Sequence, residues 1–132
     1  MTRITIPAPC GWINSNQRLH RMQTAKLTAA WRLAAKTAAH GHGIIPSPVH
    51  ITAHIWKARG GRYDAGNLYP TAKACVDGIV DAGLLIDDSN EYVIGPDMRH
   101  GGKGEPRIIL EFAPIYRVAC SECYSEPQSR EE

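Results

Sequence analysis

Two hydrophobic periodicities alternate along this chain, and their order limits the folds that it can adopt. Apolar and polar residues alternate in residues 3–6 and 49–56, which predicts strands, and the mainly apolar segments 91–94 and 107–112 are two further strand candidates. Apolar residues recur at every third or fourth position in residues 24–38 and 68–82, which predicts helices. The order β-α-β-α-β-β predicts a small α+β domain, in which two main helices pack on a mixed sheet of about four strands.

Proline, glycine and asparagine mark the expected ends of these segments. Pro7 ends the first strand, and residues 10–23 form a loop before the first helix. Asn67 is the expected N-cap of the second helix, and Gly83 is its stop. The domain is expected to span residues 1–113, with a partly disordered C-terminal extension in residues 114–132. A Gly- and Pro-rich loop before the last strand is expected to contain Arg99, His100 and Lys103.

The composition favours a soluble, cytoplasmic protein. The chain has 132 residues, of which 43% are hydrophobic, and this length suits one core. No apolar run approaches the ~20 residues of a membrane span, and residues 1–9 lack the apolar centre of a signal peptide. The cysteines are expected to be reduced thiols rather than disulfides; they are Cys10, Cys75, Cys120 and Cys123.

The charges are segregated along the chain. Residues 1–63 contain nine of the 15 Lys and Arg residues and no Asp or Glu, so six bases and all 13 acids lie in residues 64–132. This distribution suits a cationic face that meets a polyanion while carboxylates gather elsewhere. The alternative is that the two halves neutralise each other in the folded chain, and charge alone does not choose between these interpretations.

Three aspartates flank the second predicted helix. Asp64 precedes the helix, and Asp87 and Asp88 follow it. Hydrolysis of a phosphodiester uses carboxylate oxygens to hold a hard divalent cation, which polarises the phosphate and lowers the pKa of an attacking water. Aspartates at helix starts and in turns also have purely structural roles as caps. Residue type and position therefore make the three aspartates candidates for a metal site, with the structural role as the alternative.

The order of residues around this helix resembles a known family. A basic residue, an aspartate and an Asn-Leu pair precede the helix, in Arg62-Tyr63-Asp64-Ala65-Gly66-Asn67-Leu68. Ala-Gly, apolar residues and an Asp-Asp pair follow it, in Ala82-Gly83-Leu84-Leu85 and Asp87-Asp88. This pattern resembles the central signature of the RusA family of Holliday junction resolvases. Upstream, Ser15-Asn16-Gln17-Arg18 is similar to the family's Ser- and Asn-rich segment between the first strand and the first helix. The resemblance spans residues 3–113 and points to a divergent, phage-like branch.

The resemblance implies a homodimeric endodeoxyribonuclease of DNA recombination and repair that resolves four-way or other branched junctions with Mg²⁺, or with Mn²⁺. It implies that Asp64 and Asp88 bind the metal ion with Asp87 beside them. Gly66 stands where the family has a second aspartate, which makes a junction-binding protein without cleavage the alternative. The family's catalytic lysine is matched by Lys73, about one helical turn late. An ion pair of Lys73 with Asp77 four residues on is the plainer interpretation.

The length of the predicted helix separates its flanking aspartates. At ~1.5 Å per residue, residues 68–82 span about 22 Å. The connection 83–86 retraces at most ~14 Å. Asp64 and Asp88 of one chain would therefore not reach one metal ion, whereas a symmetric dimer would pair Asp64 of one subunit with Asp87 and Asp88 of the other.

Polar and basic side chains provide candidates for DNA contacts. In the family, the segment around Asn16 and Arg18 is implicated in binding DNA, and the basic loop before Asp64 suits phosphate contacts, although a solvated hairpin turn is the alternative. The candidate set is Asn14, Asn16, Arg18, His20, Arg21, Lys57, Arg59, Arg62 and Asn67. His50 and His54 share one face of a strand and could bind a metal ion, although solvent-facing or sheet-packing histidines are commoner. Without the resemblance, a third function is open, a small interaction domain whose charges pair internally.

Overall fold

One mixed sheet carries two helices. The computed structural model of the chain describes residues 1–59, 62–87 and 92–115. Its elements are strand β1 Thr2–Pro7, helix α1 Arg21–Ala38, strand β2 Val49–Lys57, helix α2 Tyr69–Asp81, strand β3 Val93–Lys103 and strand β4 Arg107–Pro114, with a 3-10 turn at Ala65–Leu68 leading into α2. The predicted α+β fold of four strands and two main helices is confirmed.

The strand order sets the direction of α2. The sheet runs β1-β4-β2-β3, in which β4 pairs antiparallel with both β1 and β2, and β3 pairs parallel with β2. Parallel neighbours need a crossover connection, and α2 lies within the crossover between β2 and β3. The start of α2 therefore lies near the carboxyl ends of these two strands, and its end lies near their amino ends.

The core lies between the helices and one face of the sheet. Alternate residues of β2, from Val49 to Ile55, are fully buried and join Trp31 of α1 and Ile79 of α2 in one apolar cluster. The alternation arises because successive side chains of a strand point to opposite faces. Removal of this apolar surface from water supplies the main driving force for the fold.

The two helices meet at a glycine. A Cβ atom added to Gly78 would lie 2.2 Å from the backbone oxygen of Arg32 and 2.8 Å from the Cβ atom of Ala35. Nearby, Arg32 Nη2 donates a hydrogen bond to Asp81 Oδ1 at 2.9 Å, and the bond and the charge of Arg32 lower the pKa of Asp81. The second half of α2 is thus fixed on α1.

The other face of the sheet is polar in the described part of the chain. Glu111 accepts a hydrogen bond from Arg3 Nη2 at 3.0 Å and lies 3.3 Å from His54 Nε2, and His50 Nε2 lies 2.5 Å from Asp97 Oδ2. The described residues contain no group of three or more His, Cys, Asp or Glu side chains that could hold a metal ion. These pairs favour His50 and His54 as sheet-packing residues rather than metal ligands.

Glu111 makes the stability of this face sensitive to acid. Hydrogen bonds from His54 and Arg3 lower the pKa of the Glu111 carboxyl. Its contribution is therefore complete above the unfolded-state pKa and is lost as the pH falls through the lower folded-state pKa. We expect Glu111→Gln to lower the free energy of unfolding by on the order of 1 kcal/mol at neutral pH, and by far less in acid. Urea unfolding at both pH values measures this difference, and an equal loss at both would contradict it.

Strand β3 is longer than the sequence predicts. The prediction of a loop around Arg99, His100 and Lys103 is wrong, because β3 continues through all three residues. Gly95-Pro96 lies at a register shift opposite β2, and an edge strand tolerates such a bulge and its proline. Cβ atoms at residues 101 and 102 would lie 2.4 Å and 2.6 Å from atoms of the Trp56 ring. These glycines therefore mark a close contact rather than a loop.

Both helices begin differently from the prediction. Helix α1 begins at Arg21 because His20 Nδ1 accepts a hydrogen bond from the Met22 amide at 3.1 Å, so the predicted loop 10–23 ends early. Asn67 is not the N-cap of α2. It lies inside the 3-10 turn, and the side chain that caps this turn is Asp64.

The described cysteines are thiols. Cys10 and Cys75 are free, and burial raises the pKa of the Cys75 thiol well above its usual range. Cys120, Cys123 and the predicted disorder of the extension from residue 116 onward lie outside the described residues. Within the described ranges, neither α-helix is long and apolar enough to cross a membrane.

Candidate functional site

Asp64 lies in a turn at the start of the crossover helix. Its carboxylate is exposed, and Oδ1 accepts a hydrogen bond from the Gly66 amide at 2.9 Å. The Asn67 amide donates to the Asp64 carbonyl at 3.0 Å. A Cβ atom at Gly66 would lie 3.1 Å from Asp64 Oδ1, so a side chain there would press on the carboxylate in this conformation. Gly66, where the RusA-like pattern has an aspartate, thus matches the folded-back geometry of Asp64.

Asp64 forms part of a shallow groove on the surface. One depression of about 540 Å³ is lined by Arg62, Tyr63, Asp64 and His100. A second depression of about 340 Å³ shares Arg62 and Tyr63 and is also lined by Trp12, Lys57, Ala58, Arg59 and Pro106. We call these two depressions together the basic groove.

Aromatic side chains of the basic groove contact one another and a nearby lysine. The Tyr63 ring meets the His100 ring edge-on at 4.4 Å, and the Lys57 ammonium lies 4.4 Å from the centre of the Tyr63 ring. Trp12 stacks on the buried Trp31 at 5.1 Å. Burial raises the pKa of the Tyr63 phenol, and a phenolic hydroxyl can donate a hydrogen bond.

The cations of the basic groove are not neutralised within the described part of the chain. Arg3 and Arg32 form salt bridges with Glu111 and Asp81 from the acidic half of the sequence. Within the described residues, by contrast, no salt bridge engages the three groove cations, Lys57, Arg59 and Arg62. Among the described residues, the charges of the two halves thus pair only in part, and three of the cations outside these salt bridges lie in the groove that contains Asp64.

Residues 10–20 form a loop that docks against the same turn. The Ser15 amide donates to the Asn67 carbonyl at 2.8 Å. The Asn14 side chain accepts from the Asn16 amide at 2.8 Å. This loop and the start of α1 contain the remaining predicted DNA contacts except Asn67, which lies in the 3-10 turn. The exposed ones are Asn16, Arg18, His20 and Arg21. Asn14 and His20 also have structural roles, in the turn and in the helix cap.

Lys73 lies on the outward face of α2. Its ammonium donates to Asp77 Oδ1 at 2.7 Å, so the ion pair that was the alternative to a catalytic role is present. Tyr69, four residues before Lys73, shares the same outward face. A catalytic role for Lys73 stays a prediction.

Asp87 lies beyond the opposite end of α2. The 13 residues of α2 span about 20 Å, and the Leu84 carbonyl just before Asp87 accepts from the Ile45 amide, past the end of α1. Asp87 is exposed, and Asp88 lies outside the described residues. The described part of one chain therefore does not bring Asp64 and Asp87 together.

The sequence patterns missed three aromatic side chains of the basic groove as site residues, namely Tyr63, His100 and Trp12. Tyr63 adjoins Asp64, and that adjacency was the one available signal. His100 reaches the groove because β3 runs parallel to β2, and Trp12 reaches it because it stacks on Trp31; neither has a local signature. No family model matches this chain, and no curated protein matches it closely enough to be a relative.

Proposed function

We propose that the chain is a Mg²⁺-dependent endonuclease of four-way or otherwise branched DNA, in the manner of the RusA resolvases that residues 62–88 resemble. The observation that carries this proposal is the exposed Asp64 carboxylate at the rim of a groove whose cations lack acidic partners in the described chain. DNA phosphates would supply those partners. A carboxylate beside a bound phosphate is a suitable place for a catalytic cation. The proposed place of action is the cytoplasm.

The carboxylates suit Mg²⁺, or Mn²⁺, as hard oxygen donors. The Gly66 amide holds Asp64 Oδ1 and so restricts the orientation of the carboxylate. Mg²⁺ usually binds one or two protein carboxylates together with waters and substrate phosphates, so Gly66 in place of an aspartate is compatible with such a site. When bound, the ion would polarise the scissile phosphate and lower the pKa of a water molecule. The proposed role of Lys73, held by Asp77, is to offset negative charge on the phosphate.

The ligand set is proposed to be completed by a second copy of the chain. Because α2 separates Asp64 from Asp87 in one chain, a two-fold dimer would place Asp87 and Asp88 of one subunit beside Asp64 of the other. Large apolar side chains are exposed near both ends of α2 and on the edge strand β3, namely Tyr69, Ile86 and Ile94. Their burial would stabilise such an interface.

Two observations favour other functions. Gly66 removes one carboxylate from the RusA-like pattern, which favours a protein that binds junctions without cutting them. The salt bridges that join the basic and acidic halves, such as Arg3 with Glu111, favour an interaction domain with internally paired charges. An interaction domain with internally paired charges would not explain the basic groove.

A synthetic four-way junction tests the proposal. We expect its affinity to fall steeply with salt, by about 0.9 in log K per phosphate contact for each tenfold rise in salt, and we expect nicks with Mg²⁺ but not with EDTA. Lys57→Ala should weaken binding and reduce the salt slope by about 1. Lys26→Ala, which changes an exposed lysine of α1 outside the groove, is the matched control and should leave binding and nicking unchanged.

The outcomes separate the three functions. Salt-dependent binding with Mg²⁺-dependent nicks supports the nuclease. Binding without nicks at any Mg²⁺ or Mn²⁺ concentration favours the non-cleaving protein. An affinity that is weak and insensitive to salt would rule out both and favour the interaction domain.

A further inference from the structure

We propose that Thr71 is a positioning residue, which holds the 10–20 loop beside the Asp64 turn and thereby shapes the DNA-binding surface. This inference rests on the proposed function. Among the residues that the structure describes, Thr71 is the one buried polar side chain, with no exposed surface. It lies in the first turn of α2, seven residues after Asp64.

The Thr71 hydroxyl satisfies both backbone groups of one loop residue. Its Oγ1 accepts a hydrogen bond from the Ile13 amide at 2.9 Å and donates one to the Ile13 carbonyl at 2.8 Å. Ile13 is itself buried and lies in neither a helix nor a strand. Its amide and carbonyl therefore depend on a side chain for partners, and a hydroxyl is a group that can donate and accept at once.

Two further bonds fix the loop on either side of Ile13. Trp31 Nε1 donates to the Gly11 carbonyl at 2.9 Å, and the Ser15 amide donates to the Asn67 carbonyl at 2.8 Å. The Thr71 bonds lie between these anchors and are the buried ones. The loop segment that leads into Asn16 and Arg18 is thus tied to the helix start that follows Asp64.

This arrangement acts on DNA through the loop. A loop that is ordered before binding loses less conformational entropy when it contacts a ligand. Without the hydroxyl, the Ile13 amide and carbonyl would lose their partners, and the loop would hold Asn16 and Arg18 less firmly relative to Asp64. Thr71 would then affect junction affinity without touching DNA.

Three substitutions in the full chain test the inference. Thr71→Val replaces the hydroxyl by a methyl group, Thr71→Ser keeps the hydroxyl, and Thr37→Val removes a hydroxyl that bonds within the exposed part of α1. We expect Thr71→Val alone to speed amide exchange in residues 10–20 and to weaken junction binding by about tenfold with a smaller salt slope. The nicking rate at saturating junction should change much less, because the Asp64 turn retains its own bonds. Thr71→Ser and Thr37→Val should behave as the unsubstituted chain.

Three results would overturn the positioning role. They are slow loop exchange in Thr71→Val, unchanged junction affinity in Thr71→Val, and an equal loss of affinity in Thr71→Ser. If Thr71→Val does not fold, Thr71→Cys supplies the same comparison, since a thiol of similar size is a weak donor and acceptor. If the unsubstituted chain binds no junction, the proposed function fails and this role fails with it. If the unsubstituted chain binds and Thr71→Val binds equally well, only this inference fails.

Discussion

Replacement of Asp64 by asparagine is expected to reduce junction nicking by at least about a thousandfold, since a metal site contributes several kcal/mol of transition-state stabilisation. Asparagine keeps a side-chain oxygen that can accept the Gly66 amide, so the turn should keep its shape. Single-turnover nicking of an end-labelled junction measures the loss. A rate close to that of the unsubstituted chain would show that Asp64 is only a helix cap.

The control for this prediction uses another aspartate. Asp97 pairs with His50 on the polar face of the sheet, away from the basic groove. Asp97→Asn should therefore leave nicking unchanged. Junction affinity of Asp64→Asn should remain within about threefold of that of the unsubstituted chain, because phosphate contacts by the groove cations dominate binding.

Mixing two inactive variants tests the shared site. If Asp64 of one subunit and Asp88 of the other form each site, a heterodimer of Asp64→Asn and Asp88→Asn contains one site with both substitutions and one intact site. Random exchange makes about half of the dimers mixed, so about a quarter of the sites are restored. If each site lay within one chain, every site would carry one substitution and the mixture would stay inactive.

Gly78→Ala is expected to lower the free energy of unfolding by about 2 kcal/mol, because overpacking a close contact typically costs about 1–3 kcal/mol. The added Cβ atom would lie 2.2 Å from the Arg32 backbone oxygen, and backbone cannot rotate aside as a flexible side chain can. The higher helix propensity of alanine stabilises the helix by less than about 1 kcal/mol. The clash is larger, so the net effect of the substitution on stability is a loss. Thermal unfolding should show a midpoint lower by roughly 5–10 °C.

Gly43→Ala is the matched control. A Cβ atom at Gly43 meets no atom within 4 Å, so its effect should stay within about 0.5 kcal/mol. A Gly78→Ala variant as stable as the Gly43→Ala variant would mean that α1 and α2 do not cross at this residue.

The elements with a clean hydrophobic period were predictable, and β3 was not. Helix α2 was expected over 68–82 and lies at Tyr69–Asp81, because its apolar stripe faces the core along its whole length. The glycines that made β3 resemble a loop are required by tertiary contacts rather than by a turn. Glycines at 101 and 102 make room for the Trp56 ring. In the sequence alone, two adjacent glycines are also the usual mark of a loop, so the contact with Trp56 could not be recognised.

The charged residues of the candidate site could be predicted from the sequence, but the distant residues that join them in the fold could not. Asp64 and the groove cations follow one another closely in the sequence, so their proximity needs no tertiary information. His100 lies 36 residues from Asp64 in the sequence, and only the parallel pairing of β2 and β3 brings it near. The cap was misplaced because Asn67 and Asp64 are both good capping residues, and the 3-10 turn that selects Asp64 has no separate sequence signal.

A copy of the chain that approached the polar face of the sheet would have to strip water from charged pairs such as Arg3 with Glu111. Desolvation of paired charges often outweighs the attraction gained in a drier setting. In the proposed dimer, association would therefore favour the helix layer and the β3 edge, where Tyr69, Ile86 and Ile94 are exposed. The ion-paired face would thus restrict how the two copies of the proposed dimer can meet, and this restriction would fix the spacing between the two proposed metal sites.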